Sequence, residues 1–219
     1  MIRILLVSLA VALATLANAA PEVVRDARHS AVSLTTAPSD VDGRRYCSGA
    51  VVQLEQGPRV ITAGHCVSEA GERVYLRDIR GNFYTATVES MEFDWPEDYA
   101  VLTSAAQWLL PALEVGGPMV IGDTYYSWAS PHGYKLLFFR GMYAGITMPN
   151  FDQRGGDLST TGMPWLAIDG AGGSSGSVVL DSEGRAVAIH VGGLGTRAAP
   201  PGYNVSIPLR GGLLAPLPS

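Results

Sequence analysis

Apolar residues recur along the chain in short runs at intervals of 8 to 15 residues, divided by Gly, Pro, Asn and Asp. That spacing predicts short β-strands joined by tight turns. Strands are expected at 31–35, 48–54, 59–62, 73–77, 83–88 and 99–102 in the first half of the sequence. The second half predicts them at 124–129, 136–139, 142–146, 165–168, 177–180, 186–191 and 203–207. Asp181-Ser182-Glu183-Gly184 reads as a hairpin turn, with Gly184 accepting the positive φ such turns need. Beyond the N-terminus no pattern sustains a helix of three turns. The stretch 104–118, with Pro111 and Gly116-Gly117-Pro118, is the best boundary and predicts one unit over 20–110 and another over 111–219. An all-β protein of two barrels, about six strands each, accounts for the strand count.

The N-terminus follows a different pattern. Arg3 is a positive n-region, residues 4–16 are an apolar h-region, and Ala17-Asn18-Ala19 is a small-x-small cleavage site, together the marks of a secretory signal peptide. An uncleaved anchor is the alternative, since the uncharged run to Pro21 approaches the ~20 residues of a bilayer span. Cleavage after Ala19 removes 19 of the 219 residues, leaving 200, and the loss of Arg3 takes the net charge from −5 to −6. The expected location is secreted or periplasmic. No second segment is long and apolar enough to span a membrane.

Composition narrows the field further. A chain of 219 residues, 47% hydrophobic, can bury a core without metals or many disulfides. A net charge of −5, a pI near 5.3 and the lack of any basic run argue against nucleic acid as the main ligand. Export also gives the two cysteines a meaning. In an oxidising compartment the simplest state of Cys47 and Cys66 is a single disulfide, two buried thiols being the alternative. Neither a CxxC nor an HxxxH spacing accompanies them, so a zinc site is not expected.

Three local patterns carry candidate chemistry. Val60-Ile61-Thr62-Ala63-Gly64-His65-Cys66 is a strand running into a small-residue turn that presents a histidine. Glu97-Asp98-Tyr99-Ala100-Val101-Leu102 puts an aspartate at the mouth of an apolar strand. Gly173-Ser174-Ser175-Gly176-Ser177-Val178 holds a serine in a glycine-rich turn. Serine is a weak nucleophile at neutral pH and needs an adjacent base, which His65 can supply. Asp98 can accept the other ring N–H and stabilise the imidazolium that forms. The N–H groups of Gly173 and Ser175 can then face a developing oxyanion. Asp94 is the alternative acid, but it lacks the apolar strand that follows Asp98.

With these motifs in the order His, Asp, Ser, the chain from about Ser30 to Pro208 resembles the chymotrypsin-like (trypsin-fold) serine proteases. The resemblance implies two perpendicular six-stranded antiparallel barrels with the active site between them. It makes His65, Asp98 and Ser175 the catalytic residues and pairs Cys47 with Cys66 beside the histidine. Ser130-Pro131-His132-Gly133 and Gly141-Met142-Tyr143-Ala144-Gly145 are similar to the strands that open the second barrel in bacterial members. The residue before the serine is Ser174, not the aspartate of the animal digestive enzymes, so activation by a new N-terminal amine pairing with that acid cannot operate. Bacterial glutamyl endopeptidases and viral relatives lack that acid too, and the motif style is closest to theirs.

Two residues compete for the specificity pocket. Ala188-Ile189-His190-Val191-Gly192-Gly193 resembles the segment in which glutamyl endopeptidases and picornaviral proteases read Glu or Gln, with Val191, Gly192 and Gly193 pairing with substrate backbone. Asp169 aligns with the acid that makes trypsins prefer Arg and Lys. A buried carboxylate repels a substrate glutamate, and Gly170 stands where the glutamyl group usually has a hydroxyl. His190 is the favoured pocket residue. His29 and His132 read as surface or loop histidines, and Trp128 and Trp165 as barrel core or cleft wall. The function expected is that of a serine endopeptidase forming an acyl-enzyme, monomeric, acting on protein or peptide substrates without metal or cofactor. The alternatives are a non-catalytic homologue that binds a partner through the same cleft, and a protease that processes a viral or phage polypeptide.

Overall fold

The computed structural model describes residues 19–35, 46–93, 97–146, 164–168, 170–193 and 203–209. Residues 1–18, where a signal peptide is expected, and Asp94, Asp169 and the C-terminal residues from Arg210 lie outside them.

Among the described residues twelve strands form two closed antiparallel barrels. The first consists of β1 (Ala31–Thr35), β2 (Tyr46–Leu54), β3 (Gly57–Thr62), β4 (Arg73–Asp78), β5 (Phe83–Glu92) and β6 (Tyr99–Ser104), in the order β1-β2-β3-β6-β5-β4. The second consists of β7 (Thr124–Ala129), β8 (Leu137–Ile146), β9 (Pro164–Ala167), β10 (Val178–Leu180), β11 (Ala186–Gly193) and β12 (Tyr203–Pro208), in the order β10-β11-β12-β9-β8-β7. The all-β, double-barrel expectation holds.

Sequence periodicity follows which faces are covered. β4 alternates buried and accessible positions, as a strand with one face on the core does. β2 is buried from Cys47 to Val52 because its second face lies toward the other barrel. One continuous apolar cluster therefore joins Val32, Val51, Leu76 and Leu102 of the first barrel to Tyr126, Val178, Leu180 and Ile189 of the second. Tyr125, Tyr143, Leu166, Val179 and Val187 form a separate core inside the second barrel.

Two expectations change. The strands expected at 136–139 and 142–146 are a single strand, β8, whose residues Thr124-facing Met142 to Ala129-facing Leu137 pair without interruption with β7. Gly141 does not break it: a Cβ there would lie 2.3 Å from the Ala167 carbonyl, so the glycine admits close approach of the neighbouring backbone. β5 runs on past Val88 to Glu92, because a register shift between Val88 and Ser90 interrupts the alternation without ending the pairing.

Short helical segments clasp the barrels together. α1 (Glu22–Asp26) buries Val24 completely, and the Val24 carbonyl accepts the indole N–H of Trp128 in β7 at 2.9 Å. A few residues on, Ser30 O accepts from Val51 N of β2 at 2.9 Å. After α2 (Ala106–Leu109) the connection is sewn first to β2, through Leu113 N to Val51 O, and then to β11, through Gly116 N to Ala186 O. No helix among the described residues is long and apolar enough to cross a membrane.

Candidate active site

His65 leaves the end of β3 on a 3₁₀ turn, Gly64 to Cys66. Gly64 is required by space: a Cβ would meet Glu92 O at 2.2 Å and Asp98 Oδ1 at 3.0 Å. That close approach brings Asp98, at the start of β6, under the histidine. Asp98 Oδ1 accepts the backbone N–H of His65 at 2.7 Å, and Oδ2 lies 2.6 Å from His65 Nδ1. The carboxylate side chain is 3% exposed and the imidazole 32%. An acceptor-only carboxylate facing Nδ1 puts the proton of the neutral ring there and leaves Nε2 as the basic nitrogen.

Cys66 is joined to Cys47 of β2 by the disulfide, which ties the histidine turn to a neighbouring strand. The sulfurs of these cysteines and a ring nitrogen of His65 lie within 4.8 Å of one another. Oxidised sulfurs are not thiolates, so the cluster is not a zinc site.

Ser175 sits half-buried in the turn before β10. Gly173 (φ 97°) and Gly176 (φ 83°) flank it in a region of backbone space that side chains rarely enter. Space demands glycine as well: a Cβ on Gly176 would meet Thr62 Oγ1 at 2.1 Å and Ala63 N at 2.8 Å. The serine turn is thereby pressed against the residues leading to His65, and Cys66 Sγ lies 3.8 Å from Ser175 O. Ser174 holds the turn from within. Its N–H donates to Ala171 O at 2.9 Å, its carbonyl accepts from Ser177 N at 3.0 Å, and its Oγ accepts from Ala171 N at 3.3 Å. Among the described residues the N–H groups of Gly173 and Ser175 donate to no protein acceptor.

His190 lies directly behind this turn. Its carbonyl accepts from Gly176 N at 2.7 Å and its N–H donates to Ser177 O at 2.9 Å. The ring is buried, and that burial, together with the neighbouring His65 ring, pushes its pKa down to about 4. It is a neutral imidazole at neutral pH. Opposite it on β12 stands Ser206, fully buried, whose Oγ has no hydrogen-bond partner among the described residues. Val191 is buried and Gly192 half-buried further along β11, which extends to Gly193. Gly170 is exposed, and the rival pocket residue Asp169 falls outside the described residues.

Of the remaining histidines and tryptophans, His29 accepts from Arg28 Nε at 3.3 Å, and Trp128 packs on Phe138 with ring centroids 5.0 Å apart. His132 is exposed, as expected, yet it is the one non-glycine residue with positive φ (53°) among those described, and its N–H donates to Gly172 O at 2.6 Å. Sequence reasoning missed this contact, and missed Ser48, whose hydroxyl and backbone both reach the serine turn. Nothing in the local pattern around either residue distinguishes it from an ordinary strand or loop position.

A double β-barrel with a hydrogen-bonded His–Asp pair on one barrel, and a glycine-bracketed serine on the other pressed against it, defines the chymotrypsin-like class. The chain belongs to the trypsin-like peptidase family, a family of serine-type endopeptidases, whose domain matches residues 47–189. Among solved structures it is similar to the serine endoprotease of Yersinia pestis, at 18% identity and a TM-score of 0.63 over 85% of this chain. It spans 61% of that longer chain. It is also similar to Rv3671c of M. tuberculosis H37Rv, seen as an inactive serine-to-alanine mutant, at 19% identity and a TM-score of 0.65, covering 85% of this chain and 84% of that one. At these identities the likeness is one of fold. No curated protein matches the sequence.

Proposed function

We propose that the protein is an exported serine endopeptidase in which Ser175, His65 and Asp98 cleave peptide bonds through an acyl-enzyme. The observation that carries this reading is the two-point hold of Asp98 on His65, which leaves Nε2 as the base beside the Ser175 turn. His65 Nε2 takes the hydroxyl proton as Ser175 Oγ attacks the scissile carbonyl. The oxyanion accepts hydrogen bonds from the N–H groups of Gly173 and Ser175, each worth roughly 3–4 kcal/mol of barrier. The imidazolium, stabilised by Asp98, returns the proton to the departing amine. Water then repeats the sequence on the ester and frees Ser175.

The pocket reading rests on His190. A neutral imidazole offers a substrate side chain one donor and one acceptor. That pair favours Glu or Gln on the amino side of the scissile bond, with Val191 to Gly193 pairing to substrate backbone as an added strand. Export is supported by the signal pattern through Ala19 and by a disulfide, which persists in oxidising compartments.

The test is Ser175→Ala in the purified mature chain, profiled on a mixed peptide library. Cleavage is expected to fall by about 10⁴- to 10⁶-fold with the melting temperature retained. Undiminished cleavage by the folded variant contradicts the reading.

A further inference from the structure

One side chain outside the proposed reaction holds the serine turn from the opposite barrel. Ser48, in β2, follows the half-cystine Cys47 and is fully buried. Its Oγ lies 2.8 Å from Gly173 O and 2.8 Å from Ser130 N. An amide nitrogen can only donate, so the hydroxyl accepts from Ser130 and spends its single proton on Gly173 O. The backbone N–H of Ser48 donates to Ser175 O at 2.7 Å, and its carbonyl accepts from Thr62 Oγ1 at 2.7 Å, on the strand that delivers His65.

These bonds fix the direction of the oxyanion donors. In a trans peptide the C=O and the following N–H point opposite ways. Gly172 O is bound to His132 N, which turns the N–H of Gly173 away from that contact. Gly173 O is drawn to Ser48, which turns the N–H of Ser174 back into the turn, where it donates to Ala171 O. The His132 donor is itself anchored by Ser48, because Ser130 begins the same short turn. There is no slack in the packing either: a Cβ on Gly173 would lie 2.6 Å from Ser130 O and 2.7 Å from His132 N.

We propose that Ser48 is a positioning residue that sets the oxyanion hole and the nucleophile from the first barrel. The proposal rests on the reading of Ser175 as the nucleophile. Without the hydroxyl, a buried N–H and a buried C=O lose their partner: the Gly173–Ser174 peptide loses its anchor directly, and the Ser130 turn whose His132 N–H holds Gly172 O is loosened, so the N–H of Gly173 drifts from the donating orientation. The loss falls on the transition state, where the oxyanion forms, and not on substrate binding.

The experiment follows inactivation of the mature protein by a fluorophosphonate, which requires both an activated serine and the oxyanion donors. Ser48→Ala is expected to lower the saturating inactivation rate by about 10- to 100-fold, as for an ångström-scale misplacement, with the half-saturating concentration unchanged, the disulfide formed, and the melting transition lowered but still cooperative. Should the alanine variant not fold, Ser48→Gly is read instead, with a smaller loss of rate expected because a water can take part of the hydroxyl's place. A second pair of variants reads the same network: His132→Gly accepts the left-handed backbone and keeps the rate, while the β-branched His132→Val opposes it and loses rate. A wild-type rate in either Ser48 variant, a change confined to the half-saturating concentration, or equal losses in the two His132 variants overturns the proposal. Failure of the wild type to react at Ser175 overturns instead the reading on which it rests.

Discussion

Asp98 holds His65 at two points, accepting its backbone N–H with Oδ1 and facing its Nδ1 with Oδ2. The first contact fixes where the residue sits and the second fixes which ring nitrogen is basic. Asp98→Asn separates the two. The amide oxygen keeps the backbone contact while its NH₂ faces Nδ1 and forces the opposite tautomer. Activity is expected to fall by about 10⁴-fold with little change in melting temperature, checked by peptide turnover and by the ¹⁵N chemical shifts of the His65 ring. A small loss of activity with a large loss of stability contradicts that division of labour.

His190 makes stability depend on pH. Burial holds the folded imidazole near 4 against an ordinary value of 6.5, so below 6.5 the unfolded chain binds a proton that the folded one refuses. Stability is therefore lost as the pH falls from about 6.5 to 4, by roughly 3 kcal/mol, and this contribution is flat above that window. Urea unfolding at pH 7, 5.5 and 4 checks this. His190→Gln is expected to flatten the slope, which an origin in other groups would leave unchanged.

Asp78 contributes in the same direction at lower pH. Burial alone raises its pKa, but hydrogen bonds from the Asn82 side chain and backbone, the Tyr84 hydroxyl and the Arg80 N–H outweigh it and hold the carboxylate below its ordinary value. Its contribution is complete above the unfolded value and disappears as the pH falls through the folded one. Asp78→Asn is expected to lower the melting temperature at pH 7, with the difference from wild type narrowing in acid.

Substrate choice separates the two pocket residues. If His190 reads the substrate, His190→Ala abolishes the Glu or Gln preference in a library profile, and Asp169→Asn leaves it in place. A switch of preference by Asp169→Asn alone contradicts the histidine reading. Glutamate cleavage is expected to decline as the pH rises while glutamine cleavage does not, because a bound carboxylate favours the charged imidazole.

The disulfide joins Cys47 and Cys66, 19 positions apart, and ties the strand of Ser48 to the turn of His65. Chain-entropy arithmetic gives it roughly 3 kcal/mol. Urea unfolding of Cys47→Ala/Cys66→Ala is expected to show a stability deficit of that size. An unchanged midpoint contradicts it.

Much of this was legible in the sequence because it lies in local pattern. Period-two alternation marked the strands, and where it failed, at the Val88 to Ser90 shift and at Gly141, the expected boundaries failed with it. Residues 60–66 pointed to the candidate site because Thr62-Ala63-Gly64-His65-Cys66 is a specific local sequence, whereas the glycine-flanked serine of 173–178, common by itself, gained meaning only from the order His, Asp, Ser. Ser48 and His132 were not legible. Their roles arise from hydrogen bonds to Gly173 and Gly172, partners 125 and 40 positions away, and a buried serine in a strand or a histidine in a loop leaves no trace of such contacts.

The central claim is a covalent intermediate on Ser175. Acid quenching of the mature protein within milliseconds of mixing with a peptide ester, followed by proteolysis and mass spectrometry, reads it directly. The account predicts the acyl mass on the peptide containing Ser175, and its loss in both Ser175→Ala and His65→Ala. Acylation at another residue, or turnover of the ester with no acylated species, contradicts it.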